Sequence, residues 1–537
     1  MLLLPVWGDV VFPEEKDIPE ALKMPLNAKI GVDADGNYTV NGKIRFLIGV
    51  KLVEGNPAFD LQPRPGYPDS LKWLYEKPLN LESARRLGFD LLSFGMPPVW
   101  IQEVVPAVKV QKGVEQYVKV GLPLQIGAAG LFFWSNGKIA RPPYQGKFPA
   151  EALNPYDGKH GTHWVPFSVF HPTGRAIYLR HWRSALQQAK KNGGNVIRML
   201  LFGEPSYNDP ISPYNRKVFA GELKKKYGSV ARMNENWKSS YPSFEAAAAF
   251  QRENENPGLY VDWSKFIENG FADLCREGAA MIRSVSPGTL PCVQSRGSNY
   301  FRFLPDTKMN LWEINRHMGA ISVPTGGCAS VAGGEEAPEQ VIQTIPSLEA
   351  QTTMIQAAFH RALADGKPLH DNEFYFVKGN YGLYQIMMRG IGNATVFEWG
   401  KRAWQWKTPE QGRQVAERVS WQILNPYALP AERFLDIMKA KREIASVEEI
   451  FVPRNRNVER PVAVLVSYPT ERFSGVTGNL SSSYMNSVAG ALTFSHFPWD
   501  AILEEQLEQK RADRYRVILA PGVKNTYDST NPILLDW

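Results

Sequence analysis

Eight short apolar runs punctuate this chain, and longer segments, several of them amphipathic, separate most of them. The runs cover residues 45–50, 89–94, 122–128, 195–202, 290–294, 320–323, 369–373 and 394–399. Each has the length of a strand buried on both faces. Between the runs, residues 175–192 place Ile177, Leu179, Trp182, Leu186 and Ala189 at helical spacing. Residues 262–286 do the same with Phe266, Phe271, Leu274, Ala279, Met281 and Ile282. Ser286-Pro287-Gly288 then stops the helix. Alternating strand and helix predicts an α/β fold with a parallel sheet covered by helices. Eight such units predict a closed (β/α)8 barrel.

Composition sets the outer limits. The 537 residues exceed one ordinary domain, although a barrel can use much of that length. Hydrophobic residues are 44% and charged residues 21%, enough for a large core without metal or disulfide staples. The net charge of +7 is mild over this length. Its densest basic run, Lys224-Lys225-Lys226, reads as a solvated helix face, so nucleic acid is not expected as a partner. Three cysteines at scattered spacing exclude a disulfide framework and a cysteine zinc site. No cofactor and no metal are expected; His160 and His163 lack a matching carboxylate or cysteine cluster. No apolar stretch is long enough to span a bilayer, so no membrane partner is expected. The start, Met1-Leu2-Leu3-Leu4-Pro5, lacks the features of a signal peptide, which leaves the compartment open: cytoplasmic, or periplasmic if the N-terminus is incomplete.

The pattern changes after about residue 450. Residues 453–457 read as a linker, 460–467 as a new strand, 499–511 as a helix and 515–521 as a second strand. This is the beginning of a doubly wound α/β domain, and the chain reads as a C-terminal truncation. The expected division is an N-terminal segment (1–41), a catalytic barrel (42–450), a linker (451–459) and a partial α/β domain (460–537).

Two glutamates stand at strand ends. Glu204 closes the fourth run and Glu373 the seventh. Barrel enzymes place their chemistry at the C-terminal ends of strands. Two carboxyls facing one another there suit glycosidic bond cleavage: one donates a proton to the leaving oxygen and the other attacks the anomeric carbon. Trp399 ends the eighth run and could floor a sugar, because sugar C–H faces stack on aromatic planes. Its plainer reading is a core tryptophan. Arg198, inside the fourth run, reads as a hydrogen-bonding residue of the barrel interior. Strict alternation along the seventh strand turns Asn372 away from the side of Glu373.

Three stretches resemble glycoside hydrolase family 42, the β-galactosidases of the retaining clan A barrels. They are Phe202-Gly203-Glu204-Pro205-Ser206-Tyr207, followed by Lys226-Tyr227-Gly228 to Trp237; Asp371-Asn372-Glu373-Phe374-Tyr375; and Arg389-Gly390 through Phe397-Glu398-Trp399-Gly400. The Lys-Tyr-Gly stretch is also similar to family 50 agarases. The resemblance implies a TIM barrel followed by a partial Rossmann-like α/β domain, and a retaining double displacement on β-galactosides or related oligosaccharides. It implies Glu204 as acid/base and Glu373 as nucleophile, with Trp399, Asn372, Tyr375, Tyr207, His163 and Trp164 as substrate-binding residues. A homo-oligomer, trimeric in that family, follows from the same resemblance. An agarase- or carrageenan-type galactan hydrolase is the enzymatic alternative, and a non-catalytic carbohydrate-binding barrel the alternative of another class. Gly203 stands where clan A enzymes usually carry Asn, and Ser93-Phe94-Gly95 shows no strand-two Arg.

Overall fold

The computed structural model describes residues 19–52, 84–85, 88–95, 115, 117–127, 133–135, 138–140, 149–152, 165, 167–203, 205, 212–252, 255–294, 309–323, 346–374, 379–399, 432–456, 458–477 and 481–537. A small antiparallel sheet comes first: β1 (Ile30–Val32), β2 (Tyr38–Val40) and β3 (Lys43–Ile44). The barrel follows. Its strands are β4 (Leu47–Leu52), β5 (Leu91–Gly95) and β6 (Leu124–Gly127), then, after the antiparallel pair β7 (Phe133–Ser135) and β8 (Lys138–Ala140), β9 (Val196–Gly203), β10 (Leu290–Gln294), β11 (Ile321–Ser322), β12 (Leu369–Phe374) and β13 (Asn393–Trp399). All neighbours pair in parallel and β13 returns to β4, so the barrel closes. Each of the eight apolar runs supplies one barrel strand.

Helices cover the barrel. Three of them start alike, with a capping side chain followed by proline: His171-Pro172 opens α1 (Pro172–Lys191), Ser212-Pro213 opens α2 (Pro213–Tyr227), and Asn256-Pro257 opens the long helix Pro257–Val285. The cap accepts from an otherwise unpaired backbone N–H, and proline has no N–H to leave unpaired. Lys224, Lys225 and Lys226 are exposed in the last turn of α2, where cations suit the helix dipole. The stretch after Glu204 is largely helical among the described residues: α2, then α3 (Val230–Trp237), a short turn of helix at Phe244–Ala248, and α4 (Pro257–Val285). Tyr227, Trp237 and Lys226 all converge on Asp262 of α4; Tyr227 Oη donates to Asp262 Oδ2 at 2.7 Å and Trp237 Nε1 at 3.2 Å. The Lys-Tyr-Gly to Trp stretch therefore fastens helix to helix.

The floor of the barrel is plugged. Arg198, fully buried on β9, donates to Tyr38 Oη of β2 at 2.8 Å and to Asn393 Oδ1 of β13 at 2.6 Å. Nearby, Asp90 accepts from Ile48 N at 2.9 Å and pairs with Lys441 at 2.9 Å and Arg45 at 3.4 Å. Glu448 accepts from Phe46 N at 2.8 Å. Burial, opposed by that hydrogen bond and by Arg45, pushes the Glu448 carboxyl up to about 7.

A second parallel sheet has the order β15 (Trp499–Leu503), β14 (Val462–Val466), β16 (Val517–Leu519). Residues 499–511 were expected to be helical; instead a strand occupies 499–503 and the helix shortens to Glu504–Leu507. The reason is burial on both faces at period two. Val464, Val466, Trp499, Ala501 and Leu503 join the core shared with the barrel, whereas Ala463, Leu465 and Ile502 join a separate cluster with Leu507, Ala512 and Tyr515. The expected linker at 453–457 is also corrected. The helix Glu448–Arg456 runs through Pro453, because Val452 is locked into the core and holds the turn despite the missing N–H. Buried Arg472 grips Glu268 of α4 with two nitrogens, and Tyr260 Oη donates to Arg472 O at 2.9 Å. The second sheet is thus packed directly on the barrel.

Candidate active site

The strands that carry the two glutamates share a local irregularity. On β9, Leu200 pairs with Cys292 but Gly203 pairs with Gln294, so β9 uses one more residue than its neighbour. On β12, Asp371 pairs with Ala394 but Phe374 pairs with Val396, again one residue extra. Such a bulge re-aims the side chains beside it. Strict alternation would separate Asn372 and Glu373. The bulge instead lets both reach groups across the barrel, which corrects the sequence expectation for Asn372.

Glu373 Oε1 pairs with Lys51 Nζ, which reaches it from β4 past the intervening β13. The Glu373 side chain is 13% exposed and that of Lys51 21%, so the pair sits at the edge of solvent. The backbone N–H of Glu373 donates to Asp371 Oδ1 at 2.9 Å. Its neighbour Phe374 is fully buried.

Beside it lies a buried amide layer. Asn372 Nδ2 donates to Gln294 Oε1 of β10, and Asn372 Oδ1 accepts from Gln125 Nε2 of β6. Gln125 Nε2 also donates to Ser93 Oγ of β5 at 2.9 Å. Both ends of the Asn372 amide are engaged inside the protein. On the same strand, His370 is held well below the usual imidazole range by burial and by the Arg198 charge. Leu200, Cys292 and Ala320 form an apolar cluster of their own. Burial pushes the Cys292 thiol up to about 12, which makes it a packing residue and not a nucleophile.

Of the sequence-selected residues, Glu373 and Asn372 are described in full. Trp399 ends β13, with only its backbone described. Glu204 follows Gly203, the last residue of β9. Glu204, Tyr207, His163, Trp164 and Tyr375 lie outside the described residues. Sequence reasoning missed Lys51, Gln125 and Gln294. Their signal was a polar side chain within or just after an otherwise apolar strand. Among the described residues, no group of three or more His, Cys, Asp or Glu could hold a metal ion. No described helix is long and apolar enough to cross a membrane.

Residues 176–370 match the glycoside hydrolase 42 family model, described as "Beta-galactosidase". The chain is family 42-like. Solved structures agree on the fold. The β-galactosidase of the Antarctic haloarchaeon Halorubrum lacusprofundi is 14% identical with a TM-score of 0.64, over 91% of this chain and 71% of that one. The β-galactosidase of Marinomonas ef1 is 14% identical with a TM-score of 0.65, over 91% and 74%. The apo exo-carrageenase GH42 of Bacteroides ovatus is 14% identical with a TM-score of 0.66, over 97% and 67%. No curated protein matches. This family 42-like barrel is therefore a divergent one, and the family match ends just before Glu373.

Proposed function

We propose that this family 42-like barrel is a retaining glycoside hydrolase acting on β-galactosides or related oligosaccharides. Glu373 attacks the anomeric carbon. Glu204 donates a proton to the leaving oxygen, then takes one from the water that releases the sugar. The observation that carries this reading is Glu373 at the partly exposed end of β12, the seventh barrel strand, paired with Lys51. In the sequence, Glu204 follows β9, the fourth. The ion pair with Lys51 favours the ionised form of Glu373 that attack requires. Trp399, at the end of β13, is proposed to stack on the sugar; Tyr207, Tyr375, His163 and Trp164 are proposed to line the subsites. The second sheet, with β15 and β16 as its edges, is proposed as an assembly surface that makes the protein an oligomer.

A second reading has its own support. The exo-carrageenase from Bacteroides ovatus aligns with 97% of this chain. A carrageenan- or agarose-derived oligosaccharide is accordingly the alternative substrate class.

The test is a panel of aryl β-galactosides, agarose and carrageenan oligosaccharides with purified protein, followed by Glu373→Gly with added azide. Release of an inverted glycosyl azide by the variant supports the assignment. Silence of the wild type across the panel, or unimpaired turnover in the variant, overturns it.

A further inference from the structure

Among the described residues, β4, β5, β6, β10, β12 and β13 bring the following groups to the neighbourhood of Glu373. Ser93, Gln125, Gln294 and Asn372 are uncharged. His370 is held neutral. Asp371 is an acid on the same strand and accepts the Glu373 amide proton. Lys51 is the cation, and its pairing residues are Phe397 on β13 and Ser93 on β5. The acid Asp371 beside it favours proton uptake by Glu373. The Lys51 ammonium opposes that at the carboxylate itself.

We propose that Lys51 is a positioning residue for the reaction, holding Glu373 ionised and aimed at the barrel axis through their pairing across β13. This rests on the nucleophile assignment given above. An opposite charge within contact distance of a carboxyl favours its charged form, and the partly solvated position keeps the cost of desolvating the ammonium low. Lysine suits the task because its compact charge sits on a flexible stem that can span the gap from β4. When the glycosyl ester forms, Glu373 loses its negative charge. When water releases the sugar, the charge returns, and Lys51 stabilises the departing carboxylate.

The experiment follows inactivation by a fluorinated galactosyl fluoride as a function of pH. In that step a bond forms between a Glu373 carboxylate oxygen and the anomeric carbon while fluoride leaves. Wild type, Lys51→Met, Lys51→Gln and Lys51→Arg are compared, and the labelled peptide is mapped in each. Two neutral variants are included so that poor folding of one leaves the other to decide. The neutral variants should move the acidic limb upward by about 1–3 pH units, with inactivation about tenfold slower per unit below the new limb. Lys51→Arg, which keeps the charge, should return the limb toward the wild-type position. A label on Glu373 with an unmoved limb in a folded neutral variant overturns the role of Lys51 alone. A label on another residue overturns the nucleophile assignment, and this inference with it.

Discussion

At the floor of the barrel, Asp90 is buried with Lys441 and Arg45, and the antiparallel sheet bearing Tyr38 closes over Arg198. At the mouth, Glu373 has Lys51 beside it, both side chains keep some exposure, and β12 is bulged under them. Both ends carry ion pairs at strand termini. The floor hides Asp90 and Lys441 almost completely, at 0% and 5% exposure. The mouth leaves Glu373 and Lys51 within reach of solvent, at 13% and 21%. Buried pairs of the first kind make the fold intolerant of losing a partner. Pairs of the second kind contribute little to stability and leave a carboxylate available for chemistry.

Substitutions can break that contrast. The largest effect is expected at the mouth: Glu373→Gln should reduce turnover by several orders of magnitude while the melting temperature changes little. Comparable loss of stability would place Glu373 with the floor residues. Glu204→Ala should lose far more activity on substrates with poor leaving groups than on dinitrophenyl glycosides, because only the former need protonation. Equal losses on both would remove Glu204 from the acid/base role. At the floor the pattern should invert. Asp90→Ala leaves Lys441 buried without its carboxylate and should cost about 3–5 kcal/mol in urea unfolding. In whatever fraction stays folded, the pH profile of activity should be that of the wild type.

The smallest effect concerns Glu448. Its folded carboxyl is raised to about 7 from an ordinary value of 4.5, mainly by burial. The neutral form is favoured in the folded state, so its contribution is complete below 4.5 and is lost as pH rises through about 7. Glu448→Gln should therefore flatten the decline of melting temperature across that window. A decline as steep as in the wild type would assign the pH dependence to other groups.

The barrel was legible because, among the described residues, its strands are largely buried on both faces and read as continuous apolar runs. Strand ends were less legible. Residues 499–503 are as apolar as a helix face, and only their division between two cores makes them a strand. Pro453 signals a break in isolation, and only the docking of Val452 overrides it. At the site, Glu373 was visible from its position at a strand end. Lys51 was not, because its partner lies far along the chain and comes near only when β13 closes on β4. The bulge on β12 was invisible too, since nothing in Asp371-Asn372-Glu373 announces that alternation fails there.

The central claim is that the mouth holds a nucleophilic carboxylate and a proton donor arranged for double displacement. The most direct measurement is proton NMR of the sugar released during early turnover of an aryl β-galactoside, before the anomers equilibrate. The account predicts that the β-anomer appears first and the α-anomer follows only by mutarotation. First appearance of the α-anomer would mean inversion, with the two carboxyls about 6.5–9.5 Å apart and a water between them, and would contradict it.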